Sequence, residues 1–279
     1  MKIFKYFAIA LLTMTMVACS DDEPNSTYTR DFNMIYPVLP AGHKKISKIE
    51  QTSNKASIVA TANYDGDHLK SIKVVTKYED GTKNEENIHF DYTNGAIFCD
   101  RSIQDVTYAF EVNSLGAITR LKNVISGGTS AALQYNNNNE LEIAQLSNSS
   151  STSTTKVLWQ GGNLVQWENF GTNKQDSVVY EYSVGAPLNK GCIDVVGNDS
   201  FAFTKFVCAI MRNAGYFGAT SAYLPTVIKK DRYYADASDP SSGFELKRYN
   251  ITYEFDSEGY VKSYTTNEVP KYTVNITYK

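Results

Sequence analysis

The sequence predicts an all-β fold, mainly antiparallel, in which repeated β-hairpins form a curved or barrel-like meander with one inserted helical segment around residues 198–214. Its 20 Tyr and 13 Phe favour strands, because aromatic side chains pack well on a pleated surface. Stretches of alternating apolar and polar residues recur along the chain, each followed by turn-forming residues. One stretch alone carries apolar residues at helical spacing. These observations favour a globular β protein with little helix.

The first 18 residues predict a secretory signal peptide. Lys2 and Lys5 precede an apolar run from Phe7 to Ala18, which is too short to span a bilayer as a helix. The run ends in Met16-Val17-Ala18-Cys19, which resembles the lipobox of bacterial lipoproteins. The resemblance implies that Cys19 is lipidated, carries palmitate and becomes the new N-terminus. An ordinary signal peptide with a cysteine at this place by chance is the alternative.

The segment after Cys19 predicts a flexible tether over residues 19–36, because it is polar and lacks periodicity. It begins with Ser20-Asp21-Asp22-Glu23, an acidic cluster similar to the surface-export signal of Bacteroidetes lipoproteins. That similarity implies the outer face of the outer membrane, and a plain acidic tether on the periplasmic face is the alternative. Loss of residues 1–18 lowers the number of Lys and Arg from 27 to 25, against 30 Asp and Glu. An acidic chain gives no reason to expect nucleic acid as a partner.

Residues 37–279 predict a single β-meander domain built from copies of one hairpin. In the clearest copy, apolar residues from Tyr249 to Phe255 alternate with polar ones, and Gly259 then permits a tight turn. Aromatic residues at positions 92, 110, 135, 159 and 182 recur about every 18–25 residues, the length of one hairpin and its connection. The apolar sets that precede the other turns are Ile58 to Tyr64, Ile88 to Tyr92, Tyr108 to Val112, Leu133 with Tyr135, Val157 with Trp159, and Val178 to Tyr182. A last strand follows from Tyr272 to Tyr278.

The meander is interrupted from about residue 187 to 246, where the sequence predicts the inserted helix. Asp199 or Ser200 can cap its start, and Gly215 suits the left-handed position after its end. Its apolar stripe consists of Phe203, Phe206, Val207, Ile210 and Met211. A single helix cannot bury such a stripe by itself, so we expect it to pack on an end or open face of the sheet. Docking of the helix on a partner is the alternative.

The order of these elements resembles a Bacteroidetes outer-membrane lipoprotein family of unknown function with a porin-like fold. The resemblance rests on the lipobox, the hairpin repeats, the helix, and the segments Gly215-Tyr216-Phe217-Gly218 and Tyr223-Leu224-Pro225. It implies a barrel-like sheet and carries no activity to any residue. A barrel that spans the membrane would also alternate apolar and polar residues. A lipid anchor is redundant on such a barrel, so we expect a soluble sheet whose aromatic face lines a core.

The sequence predicts no catalytic residue, metal site or cofactor. His43, His68 and His89 have no metal-ligand spacing. The carboxylate clusters in loops, Asp65 with Asp67 and Asp231 with Asp236 and Asp239, suit turns. Cys99, Cys192 and Cys208 lack C-x-x-C spacing, which leaves open a Cys192–Cys208 bridge or a buried free thiol at Cys208.

These observations predict a monomeric envelope lipoprotein that presents a non-catalytic β-domain for ligand binding or scaffolding. An envelope hydrolase acting on glycans or peptides is the alternative. The candidate ligand contact is Trp167, which follows a turn and lies beside Gln166 and Glu168, so we expect it to face solvent and to contact a glycan or protein partner. Packing of Trp167 in the core, as alternation predicts for Trp159 and Tyr180, is the competing role.

Overall fold

A computed structural model describes residues 35–37, 42–53, 55–93, 96–102, 106–124, 130–148, 151–171, 174–191, 193, 203–234, 244–267 and 272–279. Within these residues the chain forms sixteen antiparallel strands and one short helix. This confirms the predicted all-β meander of hairpins with one helical insertion. Residues 1–34, which contain the predicted signal peptide, Cys19 and most of the tether, lie outside the described residues.

The strands follow one another in hairpins along the chain. In the first half they are β1 (Ile46–Thr52), β2 (Ala56–Asp65), β3 (His68–Tyr78), β4 (Lys83–Thr93), β5 (Ala96–Arg101), β6 (Val106–Val112), β7 (Ile118–Asn123) and β8 (Ser130–Tyr135). In the second half they are β9 (Leu141–Ser147), β10 (Thr152–Gln160), β11 (Asn163–Phe170), β12 (Lys174–Glu181), β13 (Val227–Tyr234), β14 (Phe244–Phe255), β15 (Val261–Thr266) and β16 (Thr273–Tyr278). The helix α1 (Lys205–Asn213) lies between β12 and β13.

The meander closes into a barrel. Each strand pairs with its neighbours in sequence, and β1 also pairs with β16, where Ile49 faces Ile276. The sheet therefore has no free edge, which removes the unpaired backbone groups that make edge strands prone to aggregation. Between a curved and a closed sheet, the two forms that the sequence left open, the structure has the closed one.

The inner face of the wall is apolar and the outer face is polar. On β14, Tyr249 and Ile251 are buried inside, whereas Asn250 and Thr252 are exposed outside. Ion pairs lie on the outer face, such as Lys73 with Glu85 at 2.6 Å. A barrel wall that faces lipid has the reverse arrangement, with an apolar band outside and polar side chains inside. Separately, none of the helical segments described is long and apolar enough to cross a membrane.

Helix α1 lies inside the barrel. A helix on the surface of a protein buries one stripe, but α1 buries nearly its whole circumference and contacts β1, β2 and β3. Its buried residues are Phe206, Val207, Cys208, Ala209, Ile210, Met211 and Asn213. The predicted stripe is thus confirmed, but the expected position on an end or open face is wrong. Sixteen strands enclose more space than their own side chains fill, so the helix completes the core.

The two ends of α1 are fixed in different ways. The helix begins later than predicted, with Thr204 as its N-cap in an extended conformation and without a side-chain cap bond. The predicted caps Asp199 and Ser200 lie outside the described residues. At the other end Gly215 adopts a φ of 88°, as predicted. The fully buried Asn213 accepts a hydrogen bond from the Ile46 amide at 2.8 Å and donates to the Gly191 carbonyl at 2.9 Å, which ties the helix to the start of β1.

The barrel has two different ends. The turns after β2, β4, β6, β8, β10 and β14 lie at one end, which we call the turn end, and the long β12–β13 connection also leaves and re-enters the wall there. The remaining connections lie at the loop end. The segment that follows α1 crosses the turn end and bonds to its hairpins. The Ile118 amide donates to the Tyr216 carbonyl at 2.8 Å, and the Ala219 amide donates to the Asn139 carbonyl at 2.7 Å. Gly218 has a φ of 70°, and a Cβ there would lie 2.3 Å from the Asn139 oxygen, so this covering requires glycine.

A repeated hydrogen bond joins neighbouring hairpins near the turn end. An aromatic residue at the end of one hairpin's first strand donates to a main-chain carbonyl of the preceding hairpin or connection. The donors and acceptors are Tyr64 to Ile46, Tyr92 to Leu69, Tyr135 to Ile118, Trp159 to Leu141, Tyr182 to Leu164 and Tyr253 to Pro225, at 2.6–3.0 Å. These bonds account for four of the five aromatic positions that recur in the sequence, the exception being Phe110, which has no polar hydrogen to donate.

Candidate binding site on the inner barrel wall

On β10 to β14 the inward side chains change from apolar near the turn end to polar near the loop end. Near the turn end they are apolar, as with Ile228 and Tyr249, which face each other and are buried. Towards the loop end, the inward positions carry polar, charged and aromatic side chains. They include Trp167, Asn169, Asp176, Lys230 and Lys247, a set that we call the loop-side wall. These side chains offer a polar ligand hydrogen-bonding and charged groups.

Trp167 lies on the inner face of β11. It pairs with Val157 on one side and with Val178 on the other, and Val178 is buried in the core. The indole Nε1 donates to the Tyr180 hydroxyl at 2.9 Å, and the side chain remains partly exposed. The hydrogen bond fixes the orientation of the ring while part of its surface stays accessible inside the barrel.

Gln166 and Glu168, the polar neighbours that led us to expect an exposed Trp167, lie on the outer face of β11. The Gln166 amide donates to Glu168 at 3.0 Å and to the Ser177 hydroxyl at 3.3 Å. Alternation therefore decides the side on which Trp167 lies, because successive residues of a strand point to opposite faces. Trp167 is thus partly exposed, but it lies on the inner face of the wall and not on the outer face.

Two polar residues extend the loop-side wall beyond Trp167. Asn169 and Asp176 face each other directly across β11 and β12. The Asn169 Oδ1 atom is buried and accepts no hydrogen bond within the described structure. An unpaired buried acceptor costs about 1–3 kcal/mol. A ligand hydroxyl or amide that donated to this oxygen would recover that free energy.

Two lysines face each other on the next strands. Lys230 pairs with Val178 on β12 and with Lys247 on β14, which places both lysines on the inner face. The Lys230 Nζ lies 5.3 Å from the centre of the Tyr249 ring, a cation–π contact that holds the ammonium against the wall. The loop-side wall thus combines an aromatic surface with an amide, a carboxylate and two ammonium groups.

The first turn of α1 lies at the loop end of the barrel, beside the end of β1 and the start of β16. Thr204 is exposed although the helix that follows is buried, so solvent reaches the start of α1 from the loop end. The Lys205 Nζ donates to Gln51 Oε1 at 2.7 Å and lies 5.0 Å from the centre of the Tyr272 ring. We call the space between the start of α1 and the loop-side wall the vestibule.

A buried ion pair between Arg101 and Glu86 lies next to the start of α1. The Arg101 Nε and Nη2 atoms both lie 2.6 Å from Glu86 Oε1, and the side chains are only 7% and 6% exposed. The Arg101 guanidinium also lies 5.3 Å from the centre of the Phe203 ring, next to the start of α1. This pair is neutral as a whole, and its contacts indicate a structural role.

The cysteines that the structure describes are also structural. Cys99 and Cys208 are free and buried, which corresponds to the free-thiol alternative for Cys208, and Cys192 lies outside the described residues. Burial raises the pKa of the Cys99 thiol, so it stays protonated and unreactive at neutral pH.

The predicted carboxylate clusters do not assemble a site in the described part of the chain. Asp65 and Asp67 lie at the turn after β2, where Asp67 forms an ion pair with Lys45 at 2.6 Å. Lys45 lowers the pKa of Asp67 through this hydrogen bond and its charge. Asp231 lies on the outer face opposite Ser177, and Asp236 and Asp239 are outside the described residues. No group of three or more His, Cys, Asp or Glu among the described residues is placed to hold a metal ion.

Comparison with known proteins identifies the fold. No family model matches the chain, and no curated protein matches it either. Among solved structures, the chain is similar to a porin-like protein from Bacteroides uniformis, with a TM-score of 0.66 and 15% identity over 88% of this chain and 100% of that one. It is also similar to a porin-like protein from Bacteroides vulgatus, with a TM-score of 0.52 and 15% identity over 85% of this chain and 99% of that one. At this identity the likeness establishes a porin-like barrel fold.

Proposed function

We propose that this protein is a cell-envelope lipoprotein, anchored in the outer membrane through Cys19, whose non-catalytic barrel binds a glycan in the vestibule. The observation that carries the binding role is the partly exposed Trp167 on the inner wall, with the polar residues Asn169 and Asp176 in the next row. The porin-like folds from two Bacteroides species support an envelope barrel. The lipobox-like sequence around Cys19 supports the anchor.

The chemistry of the loop-side wall suits a sugar. A pyranose ring has an apolar face, which stacks on an aromatic side chain, and hydroxyl edges, which bond to amides and carboxylates. Trp167 supplies the aromatic surface, and its bond to Tyr180 holds the indole in one orientation before a ligand arrives. Such preorganisation increases affinity, because less side-chain freedom is lost on binding. Asn169 and Asp176 supply polar groups on the next row of the wall.

Tryptophan fluorescence tests the binding role. The chain has two tryptophans, so Trp159→Phe leaves Trp167 as the only reporter. The mature lipoprotein in detergent, with this substitution, is titrated with neutral and acidic oligosaccharides. We expect a saturable change in emission, because a sugar that stacks on the indole displaces water from it. Trp167→Phe in the otherwise unchanged protein should weaken binding measured by calorimetry, whereas binding that is indifferent to this change would contradict the proposed site.

A further inference from the structure

We infer that the turn end of the barrel is a membrane-docking surface, at which exposed apolar side chains enter the interface of a lipid bilayer. This inference goes beyond ligand binding in the vestibule, and of the proposed function it rests only on the lipid anchor. It follows from where the exposed apolar side chains of the described residues lie and from where the described chain begins.

The exposed large apolar side chains of the described residues are unevenly distributed between the two ends of the barrel. Nine such side chains are at least 40% exposed. Two of them, Tyr78 and Leu246, lie near the loop end. The other seven lie at or next to the turn end, and we call them the apolar rim: Ile35, Leu115, Leu158, Val184, Leu188, Tyr223 and Phe255. Single exposed apolar residues are common, but their concentration at one end indicates a contact surface.

The centre of the apolar rim lies between the β10–β11 turn and the β12–β13 connection. Leu188 and Tyr223 are joined by an isolated β-bridge, and their side chains are 55% and 41% exposed. The Tyr223 amide donates to Asn163 Oδ1 at 2.9 Å, which joins this pair to the start of β11. Val184 is fully exposed in the turn that follows β12. Hydrogen bonds thus fix the backbone that presents these side chains, so little conformational freedom is lost when they dock.

The described chain begins at the same end of the barrel. The Tyr36 ring lies 5.1 Å from the Tyr92 ring, and a Cβ at Gly116 would lie 2.7 Å from the Tyr36 carbonyl oxygen. Cys19 precedes Ile35 by 16 positions in the sequence, a length of chain that spans at most about 55 Å. A lipid on Cys19 would therefore keep the turn end close to the bilayer. This proximity raises the effective concentration of the bilayer at the apolar rim, so even weak contacts suffice for docking.

The ion pairs at the turn end are compatible with a bilayer surface. Lys44 pairs with Glu258 at 2.5 Å, and Lys45 pairs with Asp67 at 2.6 Å. Both acidic partners are exposed, so these pairs can stay hydrated at the level of the headgroups while neighbouring apolar side chains lie deeper. Tyr223 suits the same boundary, because its ring is apolar and its hydroxyl is polar.

Vesicle binding by a chain without lipid tests the apolar rim alone. The mature chain with Cys19→Ser is mixed with vesicles of phosphatidylethanolamine and phosphatidylglycerol, and we expect it to sediment with them. Leu188→Ser combined with Tyr223→Ser should lower the partition coefficient about tenfold, because two apolar side chains no longer enter the interface. The matched control is Tyr78→Ser combined with Leu246→Ser, which removes the same residue types at 44% and 61% exposure from the loop end and should leave binding unchanged. Urea denaturation should show little change for either variant, since all four side chains are exposed.

Fluorescence quenching tests the lipidated protein. In the mature lipoprotein with Trp159→Phe and Trp167→Phe, Leu188→Trp introduces a single fluorophore at the apolar rim, and Leu246→Trp introduces one at the loop end. Each protein is reconstituted into vesicles that contain phospholipid brominated in its acyl chains. We expect strong quenching for Leu188→Trp and little for Leu246→Trp, because bromine quenches only an indole that reaches the acyl region.

The outcomes separate this inference from the proposed function. A Cys19→Ser chain that stays in the supernatant, equal losses in the two double variants, or equal quenching at the two positions would overturn the docking surface and leave the anchor in place. Dimers of the wild type that dissociate on Leu188→Ser with Tyr223→Ser, measured by sedimentation velocity, would assign the apolar rim to a second copy of the chain and also overturn it. A wild-type mass without acyl chains would contradict the anchor, whereas vesicle binding by the Cys19→Ser chain would support the apolar rim independently of the anchor.

Discussion

Tyr135 donates its phenolic hydroxyl to the main-chain carbonyl of Ile118 at 2.8 Å, from one hairpin of the barrel to the one before it. The same contact recurs between Tyr182 and Leu164 and between Trp159 and Leu141. Because each bond joins successive hairpins, the set links much of the turn end into a ring. The spacing of aromatic residues in the sequence thus reflects a repeated bond between hairpins, in addition to core packing.

Removal of one of these hydroxyls should destabilise the barrel. Tyr135→Phe leaves the ring in place and removes the donor to the Ile118 carbonyl. We expect the free energy of unfolding to fall by about 1–2 kcal/mol, the typical cost of a lost buried bond. Urea denaturation measures the change. The matched control is Tyr78→Phe, which removes a hydroxyl from a side chain that is 44% exposed and should change stability by less than about 0.5 kcal/mol. Equal effects of the two substitutions would contradict a role for the hydrogen bond.

Alkaline pH should destabilise the barrel, because it ionises Tyr92, which belongs to the same set of hydrogen bonds between hairpins. Burial raises the pKa of Tyr92 to about 12, above the ordinary value of 10.0. A raised pKa means that the folded state holds the proton more tightly, so this contribution to stability is complete below about pH 10 and is lost as the pH rises towards 12. Urea denaturation should show stability falling between these limits. Tyrosinate absorbance of the folded protein should show some phenols that titrate late, and titration of every phenol near pH 10 would contradict this prediction.

The buried ion pair gives a prediction for the core. Glu86→Gln leaves the Arg101 guanidinium buried without its counter-charge. We expect this change to destabilise the protein by about 3–5 kcal/mol, because a lone buried charge has lost its water without a partner. The double variant Glu86→Leu with Arg101→Met should recover much of the loss, since it removes both charges. Denaturation of the single and double variants tests this, and additive losses in the double variant would contradict it.

The sequence predicts this fold well because its main signals are local. Alternation with period two predicts which face of a strand is buried, and it holds even at Trp167, where the nearby turn and polar neighbours favoured the outer face. The turn-forming residues predict the hairpins, since Asp256 accepts bonds from the amides of Glu258 and Tyr260 within its own turn.

What the sequence does not predict depends on closure of the barrel. The position of α1 follows from the space that sixteen strands enclose, and that number is not visible in any one hairpin. The inward lysines were missed for a related reason. Lys230 and Lys247 occupy strand positions where a charged residue suggests the outer face, and only the register with Val178 places them inside. Parity counted from buried Ile228 and Tyr249 was the signal that could have found them.

The membrane anchor has its own test. Cys19→Ser should release the protein into the aqueous phase when cells are extracted with a phase-separating detergent, because it removes the residue that we propose to be lipidated. Ser20→Ala, which changes the next residue and keeps the cysteine, should remain in the detergent phase. Intact-mass analysis of the wild type should show the mass of the acyl chains, and a wild-type mass without them would contradict the proposal.

A substitution at the start of α1 should stabilise the protein. Thr204→Asp places a carboxylate at an N-cap that has no side-chain bond and at a helix start that has no acidic residue. We expect the free energy of unfolding to rise by about 0.5–2 kcal/mol, because the carboxylate bonds to a free amide and complements the helix dipole. Thr204→Asn is the matched control, since it offers a similar cap without the charge and should stabilise the helix by less. Urea denaturation measures both effects, and a Thr204→Asp protein that is no more stable than the wild type would contradict this prediction.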